Sequence, residues 1–381
     1  MSRYILDART SMPHFPGIGR YVSNLASALA PQLTAGEELT FLKSPSASPA
    51  VESAPVSQVE GASQLPGKSI TAPATPFDIR QQWRIPSLVK RLQADNGALY
   101  HSPYYLMPYR TGLPTLLTFY DIIPLKFPNT VPVRARLFFR MAATLALRAS
   151  DHVVVISEAA RSDLLSFFSL PASKTTVTPL AARARYSPQP SAEIARVRHH
   201  YRLPESFLLY LGINKPHKNL PALIDAYAQM ASRHAPPLVI AGAWDTRYPQ
   251  ARECAARLQL GDAVRFLGPV DERDLPALYS AATLFIFPSL YEGFGLPVLE
   301  AMACGTPVAC SNTPGLAEVA GDAAVLFDPR SVTEIRNAMT ELIEDSRQRA
   351  RRAEQGLARA ALYSWQATAE ATLRCYRQLL N

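Results

Sequence analysis

A chain of 381 residues exceeds one ordinary hydrophobic core and suits two domains of about 150 residues each, and its 48% apolar and 18% charged content is that of a globular protein. The opening residues lack the uninterrupted apolar stretch of a secretory leader, and no run reaches the roughly 18 apolar residues of a membrane span, so a cytoplasmic protein is expected. Cys254, Cys304, Cys310 and Cys375 have neither disulfide density nor Cys-x-x-Cys metal spacing, and the formal charge of +8 is uneven: residues 1–180 carry 17 Lys or Arg against 11 Asp or Glu, residues 181–381 carry 22 against 20.

Residues 3–7 read as a first strand. Pro16-Gly17-Ile18-Gly19-Arg20 then precedes Tyr21, Leu25 and Leu29, an apolar pattern at the spacing of a helix face. A glycine loop between strand and helix either brings backbone N–H groups to an anion or is a plain tight turn. Residues 44–76 are crowded with Ser, Pro and Ala, the composition of a long loop with at most a short strand inside it. A short helix over 85–92 and a strand over 98–103 follow. The strand ends in His101, which titrates near neutrality and suits a ligand contact, or serves structure alone. Residues 115–125 are a buried type of strand breaking into a loop at Tyr120-Asp121. Residues 131–150 set Arg134, Arg136, Arg140 and Arg148 among Leu137, Phe138, Met141 and Leu145. That is either an interfacial helix with its arginines toward a membrane or a surface helix with a buried stripe. Residues 152–156 are another buried strand, with Ser157 as N-cap of the next helix. The basic first half suits an anionic surface, a bilayer or a pyrophosphate-linked substrate, or is a scattered solvated surface. No basic cluster interleaved with aromatics marks a nucleic-acid reader, and no nucleic-acid partner is expected.

Residues 181–203 are irregular and proline-bearing, a linker. An apolar strand over 207–212 then runs into Ile213-Asn214-Lys215-Pro216-His217-Lys218-Asn219, and a helix over 221–231 follows. A lysine between strand end and helix start reaches a phosphate, with His217 and Lys215 as helpers, or is simply exposed. From there strand and helix alternate with short turns: strands over 238–242, 264–268 and 283–287, helices over 252–258 and 275–281. Strict alternation implies parallel strands in a Rossmann-like domain. Ligands in such sheets lie outside the carboxyl ends of the strands, where Gly212, Gly242 and Pro288 fall. Residues 287–308 close the pattern with Glu292, the loop Gly293-Phe294-Gly295, then Leu296-Pro297 and a helix-like segment to Cys304 ended by Gly305. Pro297 suits a first helical turn and Gly305 a C′ position. Two carboxylates, Glu292 and Glu300, flank the glycine loop and helix start, where unpaired N–H groups and a partial positive charge suit an anion or a sugar hydroxyl.

Glu-Gly-Phe-Gly-Leu-Pro-Val-Leu-Glu-Ala-Met-Ala-Cys-Gly-Thr-Pro-Val resembles the signature of retaining glycosyltransferase family 4, enzymes of the GT-B fold. The resemblance implies an α/β protein of two Rossmann-like domains whose parallel sheets face across a cleft. It divides the chain into an acceptor-binding domain (1–180), the linker (181–203), a nucleotide-sugar-binding domain (204–360) and a C-terminal helix (361–381) packing back on the first domain. It implies a sugar moved from a nucleotide diphosphate donor without cofactor or metal; no Asp-x-Asp pair suits a divalent cation. The implied roles are residue by residue. Glu292 accepts from donor-sugar hydroxyls, the N–H groups of Gly293, Phe294, Gly295 and Leu296 hold sugar and phosphate, Glu300 takes the ribose hydroxyls, and Lys218, with His217 and Gly212 beside it, clamps the diphosphate.

The Gly-Ile-Gly-Arg-Tyr run resembles the family's loop toward the cleft, implying Gly19 for donor diphosphate or acceptor and Gly17, Arg20 and His101 for the acceptor. At two places the chain departs from the family pattern. Tyr120-Asp121 stands where many members carry His-Asp, the histidine touching the donor sugar; as catalytic residues here Tyr120 would position that sugar through its hydroxyl and Asp121 would bond a sugar hydroxyl or the local backbone. His217 stands where an arginine is usual and Ile213 where a second is sometimes found. The whole is most similar to bacterial mannosyl- and rhamnosyltransferases of surface polysaccharide assembly, including lipopolysaccharide and O antigen. That implies a GDP-linked donor, a lipid-linked glycan acceptor and a peripheral place at the anionic inner membrane face. The alternatives are a nucleotide-sugar-binding protein of this fold without turnover, or a GT-B epimerase.

Overall fold

The computed structural model describes residues 1–11, 16–45, 65–93, 97–230 and 235–381, Pro16 by its backbone alone. The chain divides into two compact units, residues 1–180 with 364–381, and residues 181–363.

The first unit runs β1 (Ser2–Asp7), α1 (Pro16–Leu29), β2 (Glu37–Lys43), β3 (Lys68–Thr71), α2 (Gln81–Arg91), β4 (Ala98–Ser102), β5 (Thr115–Phe119), α3 (Ile123–Lys126), α4 (Val133–Ala149), β6 (His152–Val155), α5 (Glu158–Phe167) and β7 (Thr175–Val177). Its strands form one sheet in the order β3-β2-β1-β4-β5-β6-β7, each neighbouring pair parallel. A parallel sheet covered on both faces buries successive side chains of a strand, and Leu116, Leu117, Val153, Val154 and Val155 are all fully buried. Ser157 caps α5, its hydroxyl accepting the Ala160 N–H at 2.9 Å. The Ser/Pro/Ala-rich passage contains β3, while residues 46–64 lie outside the described residues.

In the second unit come α6 (Ser191–His200), β8 (Leu208–Leu211), α7 (Leu220–Ala228), β9 (Leu238–Ala241), α8 (Gln250–Arg257), β10 (Val264–Gly268), α9 (Leu275–Ala281), β11 (Leu284–Phe287), α10 (Leu296–Ala303), β12 (Val308–Ser311), α11 (Pro314–Ala320), β13 (Val325–Phe327), α12 (Val332–Glu344) and α13 (Ser346–Ala360). The order β10-β9-β8-β11-β12-β13 is again parallel throughout. The last helix, α14 (Trp365–Leu380), belongs to the first unit, where it packs on α1 and Arg377 meets Glu37 at 2.8 Å.

Three local expectations are corrected. Pro16 to Arg20 form the first turn of α1 rather than a loop before it, because a proline at a helix start gives up no hydrogen bond. Residues 181–203 are not a free linker: they belong to the second unit and carry α6, held by Arg183 to Glu272 (2.9 Å) and Arg196 to Asp274 (2.6 Å). The helix after Lys218 ends at Ala228, and residue 231 lies outside the described residues.

Candidate functional site

The strand order of the second sheet reverses between β8 and β11, so the loops leaving their carboxyl ends start side by side. After β8, Gly212 donates its N–H to the Ala241 carbonyl (2.9 Å) and the chain reaches a 3₁₀ turn, Pro216–Lys218. Asn219 ends that turn at φ 59° and its Nδ2 donates to the Pro329 carbonyl at 2.7 Å. The Leu290 N–H, after β11, donates to the His217 carbonyl (2.8 Å) and stitches the two loops together. Lys218 Nζ therefore lies 2.6 Å from Glu292 Oε1 and 5.1 Å from the centre of the Phe287 ring. The two charged side chains keep 14% and 12% of their surface in solvent. They neutralise each other, and each keeps a face through which a phosphate or a hydroxyl can replace its partner.

Gly295 begins α10 at φ +107°, a backbone region that favours glycine, and a Cβ there would strike Leu316. Gly315 on α11 sits so close beneath the loop that a Cβ would meet the Glu292 carbonyl oxygen. The loop from Glu292 to Gly295 is thus seated directly on α11. Phe294 is buried edge-on to Tyr363 (5.8 Å between centres), so its side chain anchors the loop. Leu296 and Pro297 open α10 at its positive dipole end; Pro297 has no N–H, and the Val298 and Leu299 N–H groups donate to the Gly295 carbonyl (3.0 and 3.4 Å). Glu300 lies inside α10, only 5% exposed, accepting from the Tyr279 hydroxyl at 3.2 Å. Burial, then the charge of Glu300, holds the Tyr279 phenol well above its usual pKa, so it stays a donor. His217 is buried beside Lys218, and burial, with Lys218 and Lys215 adding to it, pushes its pKa down to about 3. It is a neutral imidazole at physiological pH and adds no charge to the lysine.

The remaining candidates lie in the first unit. Gly17 is exposed and Gly19 buried in the first turn of α1; Arg20 follows, half-buried. His101 is fully buried, Nδ1 2.6 Å from the Tyr376 hydroxyl on α14 and Nε2 2.7 Å from Thr118 Oγ1, which in turn meets Tyr21 at 3.0 Å. Both ring nitrogens are taken inside the unit, and burial pushes the imidazole down to about 3. Tyr120 stands just past β5, edge-on to Tyr21 at 5.5 Å, its hydroxyl buried with no hydrogen-bond partner among the described residues. Burial, then Tyr21, holds that phenol well above its usual pKa, so it remains protonated and cannot act as a base near neutrality. Asp121 Oδ1 accepts the Ile123 N–H at 3.0 Å, bracing the start of α3. Behind these, at the carboxyl end of β1, Arg9 is fully buried against Asp7 (2.6 Å), with Ala74 O and Gln81 Oε1 each at 3.1 Å, and Tyr100 donates to the same carboxylate.

Sequence reasoning missed Tyr279 as the partner of Glu300, 21 residues away. It also missed Asn214, whose side chain binds the Asp245 backbone at both N–H (2.6 Å) and carbonyl (2.9 Å) and the Tyr248 carbonyl (2.7 Å). That clamp ties the loop after β9 to the loop carrying Lys218. An asparagine between a strand and a lysine was the one available signal, and it carries no direction without the fold.

Two family descriptions match most of the chain: Glycosyltransferase Family 4 over residues 16–182 and Glycosyl transferases group 1 over residues 192–359. The chain is 34% identical to O-antigen chain mannosyltransferase B of Escherichia coli over 284 residues, covering 74% of each chain. It is 32% identical to the serotype-specific mannosyltransferase WbdA of Escherichia coli over 254 residues, 64% of this chain and 31% of that longer one. Among solved structures, the sucrose-phosphate synthase of Thermosynechococcus elongatus superposes with a TM-score of 0.74 at 25% identity, covering 100% of this chain and 99% of that one. The architecture is that of the GT-B glycosyltransferases.

Proposed function

The chain belongs to the family 4 glycosyltransferases, and on that premise we propose that it moves mannose from GDP-mannose to a lipid-linked glycan in polysaccharide assembly, with retention of configuration. Rhamnose from a GDP-linked donor is the neighbouring choice. The relatives named as O-antigen and serotype mannosyltransferases support the sugar and the pathway class. The observation that carries the reading is the Lys218–Glu292 pair at the switch point of the second sheet, 2.6 Å apart and still partly in solvent.

Donor binding exchanges that pair. Lys218 turns to the diphosphate, helped by the positive dipole end of α10, and Glu292, released, accepts from sugar hydroxyls. Glu300, already oriented by Tyr279, takes the ribose. The lysine supplies the positive charge that the leaving diphosphate requires, so the reaction is proposed to need no metal. The acceptor hydroxyl attacks from the face that the diphosphate leaves, and a phosphate oxygen takes its proton. This route asks for no side-chain base, in keeping with a Tyr120 phenol that keeps its proton. Gly17, Gly19, Arg20, Tyr120 and Asp121 are assigned to the acceptor side; His101, with both nitrogens engaged, is assigned to the scaffold. The lipid on the acceptor places the work at the inner face of the cytoplasmic membrane.

Mass spectrometry of reactions offered GDP-mannose, GDP-rhamnose or UDP-glucose with a lipid-linked acceptor tests this. Mannose incorporation with the donor's anomeric configuration, also in chelator, is the expected result. The unpaired Tyr120 hydroxyl, standing where the family pattern has histidine, favours one rival, a nucleotide-sugar-binding protein without turnover. Donor binding with neither transfer nor hydrolysis for any donor would establish that rival instead.

A further inference from the structure

The loop from Glu292 to Gly295 has two supports, and both lead to one side chain late in the sequence. Its backbone is seated on α11: a Cβ at Gly295 would strike Leu316, and one at Gly315 would meet the Glu292 carbonyl oxygen. Its Phe294 ring packs edge-on to Tyr363, 5.8 Å between centres. The first support is short, since α11 runs only from Pro314 to Ala320 and its N-cap residue, Thr313, makes no side-chain capping bond. A helix of two turns is marginal alone, and the carbonyls of its last turn have no partner within it.

Arg359 of α13 supplies those partners. Its Nε donates to the Val319 carbonyl at 2.9 Å, and its Nη2 donates both to the Glu318 carbonyl and to the Tyr363 hydroxyl (3.1 Å). The Tyr363 hydroxyl in turn donates to the Glu318 carbonyl at 3.3 Å, and the guanidinium carbon lies 5.4 Å from the centre of the Tyr363 ring. A planar fork of donors can reach three acceptors on two elements at once, which the compact ammonium of a lysine cannot. One half-buried guanidinium therefore ties the carboxyl end of α11 to the ring that holds Phe294. One turn earlier on α13, Gly356 is buried against Met302, so the same helix also backs α10, which follows the loop.

We propose that Arg359 and Tyr363 are positioning residues for donor binding, holding α11 and Phe294 so that the Glu292–Gly295 loop is set before the nucleotide sugar arrives; this rests on the reading of that loop as the donor site. Neither side chain touches the donor in this scheme. Their effect is preorganisation: a loop already ordered loses little freedom on binding, and a displacement of about 1 Å at a site can cost about 100-fold. A plain helix cap would behave differently. Its loss would lower stability and leave the donor affinity of the folded protein as it was.

The full chain and its Arg359→Ala, Arg359→Lys, Tyr363→Ala and Tyr363→Phe variants are titrated with GDP-mannose, GDP-rhamnose and UDP-glucose by calorimetry. Amide hydrogen exchange of peptides spanning 290–299 is followed without nucleotide, with thermal midpoints alongside. Both alanine variants are expected to weaken binding of whichever donor the parent accepts about tenfold, and to speed exchange in the loop about tenfold with β8 unaffected. Arg359→Lys, which keeps the charge but not the fork, should fall between, and Tyr363→Phe, which keeps the ring against Phe294, should bind within about twofold of the parent. Should Arg359→Ala fail to fold, Arg359→Lys and Tyr363→Ala carry the comparison. Parental affinity and parental loop exchange in the folded variants, whatever their thermal midpoints, would overturn the proposal, and so would faster exchange spread evenly over the second unit. A parent that binds none of the three nucleotides, with loop exchange still quickened in the variants, would sink the donor reading and leave the support of the loop by Arg359 in place.

Discussion

The two sheets share one topology and use their switch points in opposite ways. Around the ends of β1 and β4, Asp7, Arg9, Tyr100 and Gln81 bond to one another out of reach of solvent, and His101 is locked between Tyr376 and Thr118. Around the ends of β8 and β11, Lys218 and Glu292 form an ion pair that retains a face to solvent. A fully buried polar group whose hydrogen-bonding capacity is filled by its neighbours is scaffold, since exchanging any of them strands a buried charge or donor. A pair left partly open exchanges partners at low cost. The position of a residue on the fold does not separate these cases; its remaining hydrogen-bonding capacity does.

The largest effect that distinguishes them is on stability in the first unit. Asp7→Ala leaves the Arg9 guanidinium fully buried without its carboxylate and is expected to cost about 3–5 kcal/mol, read by urea or thermal unfolding; a loss below about 1 kcal/mol would show that the network is not a scaffold. In the second unit the loss should fall on activity instead. Lys218→Ala and Glu292→Ala are each expected to lower kcat/KM for transfer about 10²–10³-fold, with a folded protein by circular dichroism. Near-parental turnover in either variant would remove the pair from the site.

Acid should next expose what the two regions have in common. His101 and His217 are both held at about 3, below the ordinary 6.5, by burial. The unfolded chain takes up these protons first, so stability is full above 6.5 and falls as pH drops through the window toward 3. Each histidine contributes a slope of about 1.4 kcal/mol per pH unit within it. Replacing His101 by Gln is expected to flatten the acid limb of the unfolding curve by one such slope and leave the Lys218-dependent activity in place; an unaltered limb would show that His101 is not buried as a neutral ring. The smallest expected effect is at the loop. Gly295→Ala forces a positive φ and a collision with Leu316, costing about 1–3 kcal/mol and raising KM for the donor more than it lowers kcat.

Much of this molecule is legible in its residues because much of it is local. Apolar runs at regular intervals mark the strands, Ser157 marks a helix start, and the limits of α9 match the segment read between two strands. The stretch from Glu292 to Gly305 reads as glycine loop and helix start because φ and N–H geometry are properties of neighbouring residues. The misreadings are also instructive. Gly17 and Gly19 suggested a loop, yet with Pro16 at the start they form a helical turn. Residues 181–203 looked like linker because their ion-pair partners, Glu272 and Asp274, lie far along the chain.

By itself the sequence determined two α/β units, their alternation, the carboxylate pair flanking a glycine loop, and a lysine at a strand end. Each depends on periodicity or on conformations spanning a few residues. Only the tertiary structure decided what those groups bind. His101 is held by Tyr376, which α14 brings to it from 275 residues away. Glu300 acquired Tyr279, and Lys218 met Glu292 across 74 residues. Hydrogen bonds and burial depend on distance in space, and chain order sets that distance only after the sheet has brought β8 beside β11.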